Sequence, residues 1–135
     1  MSSSVRLLPV PTLSAAPYAY LATVEPDTRL VFTAGACPLD ADGKTVAPGD
    51  YPAQARQVMT NLETALRAAG ATLADVVKST VYVASSEQAD LVAVWEVVRD
   101  AFGDHDAPST LLGVAVLGYD DQLVEVEAIA TVPAG

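Results

Sequence analysis

The sequence predicts an α+β domain: a mixed sheet of about five to six strands with two helices packed on one face, in the order β-β-α-β-α-β-β. Three observations carry this. Two segments, 50–70 and 85–103, repeat apolar residues at helical spacing and end in glycine. Five others, near 17–24, 29–36, 75–84, 109–117 and 122–132, are short β-like runs bounded by turn residues. Two helices cannot cover both faces of such a sheet, so they lie together and leave the other face open.

The elements follow in order along a single domain, 1–135, whose residues 1–12 read as an irregular or short-strand N-terminal segment. "PYAYLATV" (17–24) and "RLVFTAGA" (29–36) flank "EPDT", which predicts a hairpin with Pro26 and Asp27 in its turn. A turn-rich loop around Asp42 and Gly43 comes next. Asp50 is the N-cap candidate of the first helix, with Pro52 tolerated in the first turn. Tyr51, Ala55, Val58, Met59, Leu62, Ala65, Leu66 and Ala69 form its apolar stripe, and Gly70 ends it. Asn61, mid-helix, reads as a buried structural amide. After the strand at 75–84, Ser85 and Gln88 have the spacing of a capping box. The second helix carries Leu91, Val94, Trp95, Val98 and Phe102 on its apolar stripe and stops at Gly103. His105, between Asp104 and Asp106, falls in a solvated loop, and "GYDDQ" turns between the last two strands.

The final strand is the most informative. In extended chain successive side chains alternate between faces. Val124, Val126, Ala128, Ala130 and Val132 therefore share one apolar face, while Leu123, Glu125, Glu127, Ile129 and Thr131 share the other. The glutamates belong to the uncovered face together with Lys78 and Thr80, and Glu127 is expected to pair with a cation on an adjacent strand. A half-apolar sheet face left open predicts an oligomer.

Composition narrows the function. The chain has 17 acidic and 7 basic residues, a formal charge of −10, no adjacent basic pair, and no Lys or Arg after Arg99. Phosphate contacts need clustered cations, so nucleic acid is not an expected partner. No stretch is long and apolar enough to span a bilayer, and the N-terminus lacks the plan of a secretory signal. A single cysteine, Cys37, fits a reducing cytoplasm. Cys37 and the single histidine, His105, show no spacing that links them, so the thiol reads as inert and no metal or other cofactor is expected.

Several stretches resemble the Rid (YjgF-type) family of reactive-intermediate deaminases. "APYAYLA" resembles the family's Gly-Pro-Tyr opening, and "VFTAGACPLDADGK" its Thr-Ser-Gly-Gln-Ile-Pro loop. "QARQVMTNLETALRAAGATLADVVKSTVYV" follows the family pattern nearly residue by residue, and "LVEVEAIA" resembles its Glu-Ile-Glu-Ala-Ile-Ala strand. The resemblance covers about residues 14–132. It implies a chorismate-mutase-like fold assembled as a homotrimer, with small-molecule clefts between subunits. It also implies hydrolysis of enamines and imines to carbonyl compounds and ammonia.

By the same resemblance Glu125 is the catalytic carboxylate, Tyr18 the cleft tyrosine and Gly35 a loop glycine whose backbone approaches the ligand. The family's carboxylate-binding arginine has no counterpart: aligned back from "GVAVL", Ser109 stands in its place and Thr110 follows. A bidentate arginine matches a carboxylate in charge and shape. Its absence makes this a divergent member with a substrate other than the usual 2-imino acids, Ser109 and Thr110 offering neutral hydrogen bonds. Arg29 and Arg6 are nominal replacements. The alternative is a non-catalytic, metabolite-binding or regulatory trimer.

Overall fold

The computed structural model describes residues 4–134. Its elements are β1 (Val5–Leu8), β2 (Leu21–Val24), β3 (Thr28–Phe32), α1 (Tyr51–Ala68), β4 (Val76–Ala84), α2 (Gln88–Phe102), β5 (Ser109–Val114) and β6 (Val124–Pro133), with one 3-10 turn at Leu73–Asp75. Six strands and two helices are as the sequence predicts, divided into two sheets. A four-stranded mixed sheet has the order β3-β6-β4-β5, parallel only between β4 and β5, and β1 and β2 form a separate antiparallel ribbon.

That division corrects the expected hairpin. β2 pairs with β1, Val24 opposite Val5, whereas β3 pairs with β6, Phe32 opposite Ile129. The chain leaves the ribbon at Pro26, which has no N–H to give a ladder, and turns at Asp27, whose φ is 61°. Thr28 Oγ1 donates to the Glu25 carbonyl and holds the turn. The ten residues of β6 offer β3 a full ladder that the four residues of β2 do not. Residues 17–20 are not strand: Pro17 removes another donor, and the Ala19 N–H goes to the Asp106 carbonyl instead.

Both helices lie on one face of the four-stranded sheet. Asp50 caps α1 as expected, its side chain accepting from Ala53 N at 3.0 Å, and Gly70 takes φ +83° just beyond the C-terminus. Val58, Leu62 and Leu66 of α1 and Val94 and Val98 of α2 meet Val81, Val83, Val124 and Val126, all fully buried. Each such side chain contributes about 1.5–3 kcal/mol by leaving water. Ala65 and Ala69, assigned to the stripe by spacing, are exposed. Gln54, polar by type, is fully buried: its amide donates to the Asp121 carbonyl and accepts from Leu123 N, tying α1 to the entry of β6.

The cap of α2 differs from the expected box. Glu87 occupies the N-cap without a side-chain bond, while Ser85 Oγ accepts from Glu87 N and donates to Asp90. Serine still organises the entry, but its backbone N–H goes to the Val83 carbonyl and Gln88 closes no box.

The opposite sheet face is bare. Alternation along β6 buries Val124, Val126 and Ala128 and leaves Glu125 and Glu127 half-exposed, as the sequence indicates. Phe32, 69% exposed, and Leu112, 43% exposed, stand on this open side.

Candidate functional site

Glu125 sits near the start of β6 on the open face, opposite Tyr82 of β4. One of its oxygens, Oε1, accepts from Gln122 Nε2 at 3.1 Å and from the Cys37 thiol at 3.3 Å. The other, Oε2, lies over Gly35: a Cβ at residue 35 would stand 2.3 Å from it. Glycine here permits the close approach of the carboxylate, and its φ makes no demand for backbone freedom.

The Gly35 segment is held from both sides. Ala36 exchanges two backbone hydrogen bonds with Val126, at 2.7 and 3.1 Å. From the helix layer, Asn61 Nδ2 donates to the Cys37 and Leu39 carbonyls at 2.8 and 2.9 Å, and Gln57 steadies Asn61 through its Oδ1. Asn61 is thus the structural amide that the sequence suggests.

Burial, then the hydrogen bond and charge of Glu125, push the Cys37 thiol up to about 11. It is an S–H donor at neutral pH. His105 is not near it. Its Nε2 lies 2.7 Å from the Val76 carbonyl, so the histidine anchors a loop to the sheet rather than standing in solvent. Among the described residues no three His, Cys, Asp or Glu side chains gather as metal ligands.

Glu127 corrects another expectation. Its partner is the Tyr82 hydroxyl, at 2.8 Å, not a cation. That bond, with burial and the two nearby carboxylates, raises the Tyr82 pKa and keeps the phenol a donor. Lys78 donates instead to Thr110 Oγ1, and burial lowers its pKa. Lys78, Thr80 and Glu127 line a shallow hollow with Phe32 and Ile129.

Tyr18, Ser109 and Thr110 come together elsewhere. They line a hollow of about 460 Å³ with Pro17, Trp95 and Leu111. Tyr18 meets Trp95 edge-on, ring centroids 6.2 Å apart, and meets Tyr20 at 5.9 Å. Ser109 Oγ accepts from the buried Ser79 on the helix side of the sheet. Neither nominal replacement arginine lines this hollow: Arg6 pairs with Glu25 on the ribbon, and Arg29 is exposed on β3.

Within one chain the two groups do not converge. Ser109 is in register with Ser79 and Ala128, while Glu125 is in register with Tyr82 and Leu112. Two strand spacings and three residues separate them by about 14 Å. Sequence reasoning placed Trp95 in the core stripe and passed over Gln122. The one available signal for Gln122 was an amide three residues before Glu125 at the start of the strand.

An α+β domain of chorismate-mutase type, with both helices on one side and an acidic, partly apolar sheet face on the other, is the class these features define. The chain belongs to the Rid (YjgF-type) family: residues 12–132 match the family model described as Endoribonuclease L-PSP. It is 36% identical over 131 residues to the RutC family protein UK114 of Drosophila melanogaster, covering 96% of this chain and 92% of that protein. It is also 36% identical over 104 residues to the 2-iminobutanoate/2-iminopropanoate deaminase of Salmonella typhimurium, covering 75% and 78% of the two chains. A solved structure of a conserved Rid family protein from Yersinia pestis superposes with a TM-score of 0.88 at 31% identity, over 96% of this chain and 99% of that one.

Proposed function

We propose that this protein is an enamine/imine deaminase acting on a substrate other than the usual 2-imino acids, in a homotrimer with a cleft at each subunit boundary. The observation that carries the reading is Glu125: one carboxylate oxygen is engaged by two donors and the other lies over a glycine that leaves it room. Such a carboxylate can take a proton from water as the water oxygen adds to the imine carbon. Returned to nitrogen, that proton gives the carbinolamine, and transfer of the remaining hydroxyl proton to nitrogen then lets ammonia leave as the C–N bond breaks and the C=O forms. Deaminase names among the relatives support the same chemistry.

The trimer is supported by the bare sheet face, where Phe32, Leu30 and Leu112 are exposed, and by the separation of Glu125 from Tyr18 and Ser109 within one chain. A second copy would bring its Tyr18, Ser109 and Thr110 to the Glu125 of the first. The acidic balance speaks against RNA as substrate despite the name of the family model. No helix of the described residues is long and apolar enough to cross a membrane. Ser109 in place of a cation favours the second reading, a metabolite-binding trimer without turnover.

The deciding assay follows ammonia and 2-oxo-acid release from imino acids generated in situ by an amino-acid oxidase. Wild type, Glu125→Ala and Ser109→Arg are compared. Acceleration by wild type that is lost in Glu125→Ala supports a deaminase that has another anchor for the carboxylate. A silent wild type revived by Ser109→Arg means intact chemistry with a shifted substrate. Silence in all three refutes turnover of this substrate class and favours the binding reading.

A further inference from the structure

The hollow beside Ser109 has a chemical character of its own. Pro17, Tyr18, Trp95 and Leu111 supply its apolar surface, and Ser109 and Thr110 are its two aliphatic hydroxyls. None of the six is a cation or a carboxylate. Trp95 and Tyr18 stand at 89° to each other, so the two rings form a corner rather than a stack. An apolar ring seated in that corner lies face-on to one aromatic wall and edge-on to the other, both favourable arrangements.

A carboxylate fits poorly there. The donors it would find are the neutral Ser109 and Thr110 hydroxyls, whose oxygens accept from Ser79 and from Lys78. Arg99, one helical turn beyond Trp95, lines only a much smaller adjoining crevice, shared with Asp106, and not the hollow itself. An anion would meet apolar walls and neutral hydroxyls, the neighbouring Lys78 ammonium being bonded to Thr110 and outside the lining. The net charge of −10 adds a long-range penalty.

We infer that this hollow selects imines, and their carbonyl products, that carry an aryl group and no carboxylate, with Trp95 the residue that sets this specificity. The inference rests on the reading of the hollow as part of the substrate cleft and names the substrate class of that cleft. It assigns the divergence at Ser109 a positive counterpart: the anchor has moved from a charge on the ligand to a ring.

Two probes of nearly equal shape separate the alternatives. Phenylacetone and phenylpyruvate differ by a methyl group in place of a carboxylate. Their affinities for the intact protein are measured by titration calorimetry, and Trp95, the single tryptophan, reports phenylacetone through its own emission. Phenylacetone is expected to bind at least about tenfold tighter than phenylpyruvate and to change that emission. Trp95→Ala should weaken it by about tenfold, and Trp95→Phe, which keeps a ring and the packing, should largely restore it.

Equal or tighter binding of phenylpyruvate would overturn the inference, and its loss in Arg99→Ala or in Lys78→Ala would place the carboxylate anchor on that cation. Failure of the folded wild type to bind phenylacetone would overturn it as well. Turnover is read separately. Phenylacetone binding without hydrolysis of any imine removes the deaminase reading and leaves this one. Hydrolysis of imino acids without phenylacetone binding does the reverse.

Discussion

Gly35→Ala isolates the geometry of Glu125 from the stability of the fold. A methyl group at residue 35 would stand 2.3 Å from Oε2, 2.5 Å from Cδ and 2.7 Å from Cγ of Glu125. Favourable contact between carbon atoms begins near about 3.5 Å, so the carboxyl end must retreat by about 1 Å. All three clashing atoms belong to one flexible side chain, and the Gly35 φ lies outside the left-handed region. The backbone therefore accepts alanine. Reduced freedom of the unfolded chain stabilises by about 0.4–1 kcal/mol.

Against that gain stand the bonds from Gln122 and Cys37 to Oε1. A hydrogen bond to a charged group is worth about 1.5–3 kcal/mol, less here because a half-exposed carboxylate regains water and a thiol is a weak donor. The two effects nearly cancel, and the melting temperature should move by only a few degrees. Activity should not cancel. A displacement of about 1 Å at a reacting group costs about 100-fold. The assay is kcat/KM for imine hydrolysis beside a thermal melt of the same preparation. A folded Gly35→Ala protein with wild-type kcat/KM would refute the proposal that Glu125 is the proton acceptor.

Other expectations follow from the same contacts. Cys37 should alkylate with iodoacetamide about 100-fold more slowly at pH 8 than an ordinary thiol, since its pKa rises from 9.0 to about 11. Only the thiolate reacts, so the rate should keep climbing as pH passes 9 and level off near 11; a plateau near 9 in the folded protein would contradict the burial argument. Asn61→Leu leaves two loop carbonyls without their donor and should destabilise by about 1–3 kcal/mol in urea unfolding, an unchanged midpoint counting against the tether. Phe32→Asp puts a charge on the bare sheet face and should shift the assembly towards monomer by light scattering; an unaltered mass would place the subunit interface elsewhere.

The parts of this fold legible in the sequence are those fixed by short-range rules. Asp50, Gly70 and the buried stripe of α1 depend on residues within a turn of one another, and spacing reveals them. The alternation of β6 needs only a two-residue period, so the outward face of Glu125 and Glu127 was readable before any pairing was known. The hairpin misled because its signal, Pro26 and Asp27 between two β-like runs, is local, whereas the competing partner of β3 lies about 100 residues away in β6. A turn specifies that the chain reverses. It does not specify which strand it then joins.

Side-chain partners obey the same limit. Glu127 and Lys78 lie on neighbouring strands and carry opposite charge, which suggests an ion pair. Register decides otherwise: Glu127 stands opposite Thr80, Lys78 opposite Ile129, and each long side chain finds a hydroxyl, Tyr82 for one and Thr110 for the other. A β-bulge between Val76 and Lys78 shifts the ladder at that point, and no composition or period encodes it. The Glu125 contacts are longer in range still, since Cys37 reaches it across 88 residues of sequence. What fixes them is the backbone bridge between Ala36 and Val126. A substitution that frees that bridge should therefore disturb Glu125 as much as one that removes either donor.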